Sequence, residues 1–387
     1  MISHKNCTSL ALWVVLFSPL VCLAGMTSGK CVDCHTMHDS QDNSALARAG
    51  IFGALSGPQD MLLKLDCIAC HTGTNTGATD VSPYESPFVD DSSGAVIYMN
   101  TGTEIGANTL AGGTFYWVRT DSDAMGHNVN QLTGADTGRF TKVPGDPATD
   151  YFFLECAGTN GCHGDRSAGN DVPIVAMKGS HHNNDHTIWK DGTTLPKSYR
   201  FLNGIQGYGS SKYEYPGATT LTRNEHNRYF GKVRNDQSDP AAPDFQANSV
   251  NGTISGFCAL CHQDFHNGNN SLGIFGSGVW IRHPTDYDMS DSVSSKEYLD
   301  YNFKVMGTTG GQRYYNVVAP LSTAVKNTTP QEFVFTGSNN DAIVMCISCH
   351  RAHGSEFHSA LRWNYRDWPS SASKSYDGCS ICHATKD

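Results

Sequence analysis

The feature that most constrains this chain is a histidine placed directly after the second of two cysteines, six times over. The sets are Cys31/Cys34 with His35, Cys67/Cys70 with His71, Cys156/Cys162 with His163, Cys258/Cys261 with His262, Cys346/Cys349 with His350, and Cys379/Cys382 with His383. Cys-x-x-Cys-His is the attachment sequence of a covalent c-type haem. The two thiols add across the haem vinyl groups, and the adjoining histidine reaches the iron from one face. In an exported protein, paired cysteines also suggest a disulfide framework. That reading leaves six adjoining histidines unexplained.

The third site departs from the pattern. Five residues, Ala157 to Gly161, separate its thiols. Glycine and asparagine there allow the extra residues to bulge outward, and Cys162-His163 keeps the proximal arrangement. The site is therefore read as the third of six haem attachments. A disulfide between Cys156 and Cys162 is the competing reading.

Each iron has a second axial position. His38 follows His35 by three residues, His266 follows His262 by four and His353 follows His350 by three. On a helix such residues lie on one side, about 5–6 Å apart at Cβ. A histidine so close to the proximal ligand is too short to pass around the porphyrin, so it points to a neighbouring haem. The distal set expected is His38, His127, His182, His266, His283 and His353, with His181 the substitute for His182. His186, His226 and His358 are read as surface residues. Axial imidazoles on both faces leave no open coordination position. The chemistry then reduces to one-electron transfer, and the protein supplies position and tuning. Bis-histidine ligation favours lower potentials than Met/His ligation.

Composition agrees with a fold organised by cofactors. Apolar residues make up 39% of the 387, below the ~45–50% usual for soluble globular domains, so a protein-only core would be thin. Haem macrocycles would supply the missing apolar surface, and Phe, Tyr and Trp can pack on them. The expected fold is mostly irregular coil, with few short helices and minimal strand, around a continuous stack of six haems. A helix is expected over residues 44–55, strand-like runs at 114–118, 312–318 and 332–335, and a longer helix at 296–306.

Residues 1–24 read as a signal peptide, and 25–387 as one hexahaem domain. Lys5 precedes an apolar run from Leu10 to Leu23, and Cys22-Leu23-Ala24 suits cleavage before Gly25. The run is short of the ~18–20 residues needed to span a bilayer. Export by the Sec route places haem attachment in the periplasm. The formal charge of −10 argues against a nucleic-acid partner, which usually needs a basic face. Arg282 and Arg351, each beside a ligand histidine, are candidates for pairing with haem propionates.

These anchors together resemble the OmcS-type hexahaem cytochromes, outer-surface proteins of metal-reducing bacteria that polymerise into extracellular conductive filaments (nanowires). The resemblance is carried by Cys31 to His38 with Asp39-Ser40, by Gly126-His127-Asn128, and by Cys258 to His266 with Arg282-His283-Pro284. Cys346 to His353 and the ending Cys379 to Asp387 complete it. It implies a coil-rich fold with parallel-stacked and T-shaped haem pairs. It also implies that His38 ligates the Cys346/Cys349 haem of the next subunit in a head-to-tail homopolymer. The partners implied are other multihaem cytochromes as donors and extracellular acceptors such as metal oxides. Two other readings stand beside it. A soluble monomeric carrier would keep His38 for its own haem. A multihaem reductase would need an open iron position or a lysine in place of a proximal histidine, and no such lysine site occurs in the sequence.

Overall fold

The computed structural model describes residues 34–36, 40–41, 44–45, 62–63, 66–75, 88–92, 110–120, 123–132, 142–144, 146–150, 154–167, 169, 171–177, 207–208, 227–233, 253–262, 285–289, 308–309, 312–324, 333–334, 341–367 and 378–382. Regular structure among them is sparse. The α-helices are Cys67–His71, Tyr116–Thr120, Pro173–Ala176, Ile254–Cys258, Cys346–Cys349 and Gly378–Cys382. None exceeds five residues. Isolated helices of that length are unstable in water, so each must be held by caps and neighbours.

The caps are visible. Asp66 Oδ1 accepts from Ala69 N at 3.0 Å, and Thr253 Oγ1 accepts from Gly256 N at 3.0 Å. Both satisfy an amide that the first helical turn leaves open. At the third, Met345 N donates to Ser348 Oγ at 3.0 Å, and that hydroxyl donates to Pro320 O at 2.5 Å. Four of the six described helices overlap a cysteine pair. Among the described residues, helix is therefore concentrated where the cysteine pairs lie.

The strands form small separate sheets of two or three strands. Arg228–Phe230 pairs antiparallel with Gly207–Tyr208 and parallel with Ser322–Thr323. Gln312–Tyr314 lies between Thr308–Thr309 and Phe333–Val334. Among the described residues, the largest buried cluster joins Tyr287, Met289, Val317, Val318, Leu321, Trp363 and Ile381, with Cys349, Cys379 and Cys382 packed against it. A smaller one gathers Phe115, Val129 and Leu132 against Ile68 and Cys156. The apolar clusters thus end on the motif cysteines.

Two expectations for local structure are corrected. Residues 116–120 are helical rather than extended. The run is rich in strand-forming types, but Phe115 and Val118 are both buried, and their three-residue spacing follows the helical period. Ser44–Ala45 is a strand paired with Ser40–Gln41, not the start of a helix. The rest of that segment, and the helix expected at 296–306, lie outside the described residues.

Candidate functional site

A helical turn puts residues i and i+3 on one side. The pairs Cys67/Cys70, Cys346/Cys349 and Cys379/Cys382 each sit within one such turn, so both thiols can address one edge of a ligand. Cys258 closes its helix. Cys261 N and His262 N both return to Cys258 O, at 3.1 and 3.0 Å, which continues the turn through the motif.

The widened third site reaches the same end by another route. Glu155–Ala157 pairs with Gly161–His163, with Glu155 opposite Gly161 and Ala157 opposite His163. The pairing is parallel, and Gly158, at φ 93°, starts the connecting loop in a conformation that favours glycine. Hydrogen bonds Glu155 N to Asn160 O (3.0 Å) and Gly158 N to His163 O (3.1 Å) close the loop. The five intervening residues therefore make a tight loop that returns the chain alongside itself in the same direction, and Cys156 and Cys162 are held on the two strands of one parallel pair.

Histidines far apart in sequence come together in two pairs. The His127 and His262 rings are 5.9 Å apart between centroids, and those of His163 and His353 are 6.2 Å apart. A metal–imidazole bond is about 2 Å, so two imidazoles on opposite faces of one iron have centroids about 6 Å apart. Nδ1 of His127 donates to Ala352 O at 2.5 Å, and Nδ1 of His262 donates to Pro144 O at 2.5 Å. His350 Nδ1 donates to Ser359 O at 2.8 Å, and His353 Nδ1 to Gly113 O at 3.3 Å. A carbonyl can only accept, so each Nδ1 carries a proton, and Nε2 is the nitrogen left to face a metal. This is the usual second contact of a metal-ligating histidine. Burial, then the neighbouring His163, pushes the imidazolium pKa of His353 down to about 3, with the Gly113 bond opposing. The ring is neutral at ordinary pH, which is the ligating form. The donor set and the spacing fit a haem iron.

The segment His350–Ser355 is wedged between two others. Gly112 O accepts from His353 N at 2.7 Å, Gly354 O accepts from Thr114 N at 3.1 Å, and Met125 O accepts from Ser355 N at 2.9 Å. Gly354 bridges both Gly113 and Gly126. The fit is close: a Cβ on Gly112 would stand 2.9 Å from His353 Nδ1, and one on Gly126 would meet His353 O. Arg351 is fully buried and donates from Nη1 to Leu110 O at 2.6 Å and Ala111 O at 3.3 Å. Arg362, equally buried, donates from Nε to Ile347 O at 2.5 Å. Arg351 is therefore no surface arginine. Its described hydrogen bonds go to backbone carbonyls, where the sequence suggested a haem carboxylate.

The thiols of successive sites are neighbours in chain order. Burial pushes Cys70 up to about 11, and Cys34 adds to the rise. A hydrogen bond from Cys156 holds Cys67 below the usual thiol value. Burial lifts Cys162 to about 11, opposed by Arg166 and assisted by Cys261. A hydrogen bond with Cys346 holds Cys258 well above the usual value. Burial takes Cys349 to about 12, with Cys379 adding. The sites follow one another in space as they do along the chain.

Cys31, His38, His181, His182, His266, His283, His383 and Arg282 lie outside the described residues. His358 is exposed, with Nδ1 at 2.9 Å from Ser359 Oγ. The sequence reading named His127 and His353 but not their partners. It missed the Leu110–Gly113 shelf altogether. Its only trace there is the Gly112-Gly113 pair, a weak signal.

The family described as the doubled CXXCH motif matches residues 340–387. C-type cytochrome OmcS of Geobacter sulfurreducens is 26% identical over 413 residues, spanning 93% of this chain and 85% of that protein. Two solved structures match with TM-score 0.45 and 19% identity, over 94% of this chain and 100% of theirs. They are the outer membrane cytochrome S filament and the OmcS nanowires of G. sulfurreducens. Over nearly its whole length the chain is homologous to C-type cytochrome OmcS.

Proposed function

We propose that the protein is an electron-transfer cytochrome, not an enzyme, which carries covalently attached haem c and works outside the cell. Homology to OmcS across 93% of the chain supports the class, and the doubled CXXCH match at 340–387 supports the mode of attachment. In detail, six haems are attached at the six cysteine pairs. Each iron is held by two imidazoles, and bound haem supplies one-electron exchange. The observation that carries this reading is the placement of His127 against His262 and of His163 against His353. His127 is thus the distal ligand of the fourth haem. His353 is the distal ligand of the third, whose widened attachment loop is a haem site and not a disulfide. His38, His182, His266 and His283 serve the remaining irons. The order of the thiols makes the haems a relay that runs in sequence order.

Among the described residues no helix is long and apolar enough to cross a membrane. Residues 1–24 act as a signal peptide, haem is attached in the periplasm, and residues 25–387 are secreted as one domain. The homologue OmcS forms nanowires. In the same way, His38 ligates the Cys346/Cys349 haem of the next subunit and builds a head-to-tail filament. A contact between two different surfaces that does not close on itself gives an open fibre. Donors are other multihaem cytochromes, and acceptors are extracellular solids such as metal oxides.

Cryo-electron microscopy of the secreted protein tests this directly. The expected image is a filament with six low-spin haems per subunit, lost in His38→Ala. Discrete particles for wild type and variant alike would remove the polymer. Carbon monoxide uptake at full haem stoichiometry would remove the bis-histidine relay.

A further inference from the structure

We infer that Arg351 is a positioning residue for the distal ligands of two haems, within a stretch, His350–His353, that supplies a group to three. The inference rests on the ligand pairing proposed above. His350 is the proximal histidine of the fifth site. Ala352 offers its carbonyl to Nδ1 of His127 at 2.5 Å, and so orients the distal ligand of the fourth. His353, 6.2 Å from His163, is the distal ligand of the third. Four consecutive residues thus fix one axial group, or its orientation, at three successive points of the relay.

What holds the stretch is the shelf Leu110–Gly113. Gly112 O accepts from His353 N, and Gly113 O accepts from His353 Nδ1. The first acts on the His353 N–H, which shares its planar peptide unit with the Ala352 carbonyl, and the second on the His353 ring. Arg351 joins the shelf to the rest. Its backbone N donates to Ala360 O at 2.8 Å, within the turn whose Ser359 carbonyl receives the His350 Nδ1 proton. Its guanidinium reaches the other way, to Leu110 O and Ala111 O. Both bonds leave one nitrogen, Nη1, whose two N–H groups the planar guanidinium holds in fixed directions, which a rotating lysine ammonium does not. Removing it takes away the tie at Leu110 and Ala111 and leaves the stretch tied to the shelf through Gly112 and Gly113.

Electron paramagnetic resonance, carbon monoxide uptake and intact mass of Arg351→Ala and Arg351→Lys test this against wild type. A wild-type protein with fully low-spin haems satisfies the pairing on which the inference rests. High-spin haem in wild type would refute that pairing before any variant is made. Arg351→Ala should keep its attached haem and gain high-spin, carbon monoxide-binding signal equal to about two haems, those of His163 and His262. Arg351→Lys should give roughly half that signal, because the charge remains and the fork does not. Either of two results overturns the inference. One is a perturbation in Arg351→Ala confined to a single haem, or limited to shifted potentials with every haem still low-spin. The other is loss of attached haem in Arg351→Ala together with a wild-type spectrum in Arg351→Lys, which would reduce the residue to a folding role.

Discussion

Replacing Gly112 with alanine should loosen the third haem without disturbing its attachment. The backbone of Gly112 is not in the left-handed region, so alanine meets no conformational penalty of its own. The obstacle is the new methyl, 2.9 Å from His353 Nδ1, 3.1 Å from Cε1 and 3.3 Å from Cγ. Carbon atoms in good contact stand about 3.5–4.0 Å apart, so the ring must retreat by roughly half an ångström. It has little room, since the Phe115 ring lies 4.8 Å from it between centroids. The retreat also stretches the Nδ1 bond to Gly113 O, already 3.3 Å long. Overpacking of this kind costs about 1–3 kcal/mol, which weakens the hold of His353 on its iron by roughly 5- to 150-fold. Carbon monoxide binding, read by the Soret shift, should then reveal one haem per chain, at unchanged intact mass. Gly169→Ala is the control. It has φ 95° and nothing within 4 Å of a new Cβ, so it should cost about 1–2 kcal/mol of stability through backbone strain alone and leave every spectrum intact. A Gly112→Ala protein that takes up no more carbon monoxide than wild type would refute the reasoning.

Other outcomes follow from the same geometry. His127→Ala should open one iron position per chain, seen as stoichiometric carbon monoxide uptake at a haem other than the one exposed by Gly112→Ala. Arg119→Ala removes the 3.1 Å ion pair with buried Asp90, leaving Thr72 Oγ1 as the described donor to that carboxylate at 3.1 Å. With Arg119 partly in solvent the loss should be about 1–3 kcal/mol, measured by thermal unfolding, and Asp90→Asn should recover part of it. Thr253→Ala deletes the cap of helix Ile254–Cys258 and should lower stability by about 0.5–2 kcal/mol with no change in haem content.

The sequence made the covalent chemistry legible and left the spatial pairing hidden. Cys-x-x-Cys-His is a local code, so Cys67–His71 and Cys346–His350 could be read without the fold. The partner of a distal histidine is not local: His127 meets His262 and His163 meets His353 only because 110–114 and 125–127 flank the same segment. The spacing argument for His353 pointed away from its own haem but had no means of choosing among the others. Arg351 was visible beside His350, yet the destination of its guanidinium depends on Leu110 and Ala111, about 240 residues away in sequence. Residues 116–120 misled because aromatic and β-branched side chains favour strands on average, whereas burial of Phe115 and Val118 decides the case here.

The widened third site gives the sharpest test of whether irregular backbone can replace a helical turn as a haem anchor. Its thiols are brought together by the parallel pairing of Glu155–Ala157 with Gly161–His163, and that pairing has no slack. A Cβ on Gly161 would lie 2.4–2.5 Å from backbone atoms of Ala157. Backbone cannot swing aside as a side-chain tip can, and Ala157 is bracketed by the bonds of Glu155 N and Gly158 N to Asn160 O and His163 O. Gly161→Ala must therefore force the two strands apart and separate Cys156 from Cys162. Attachment at this site alone should fail, and intact mass should fall by one haem, ~0.6 kDa, with the other Cys-x-x-Cys-His sites still loaded. Thr159→Ala, in the same loop, loses only an exposed hydrogen bond to Ser167 O at 3.1 Å and should keep the full mass. If Gly161→Ala carried as many haems as wild type, the parallel pairing would not be what joins the two thiols to one macrocycle. If wild type already lacked that haem and Cys156 and Cys162 were oxidised, the loop would be a disulfide and the relay would break between its second and fourth members.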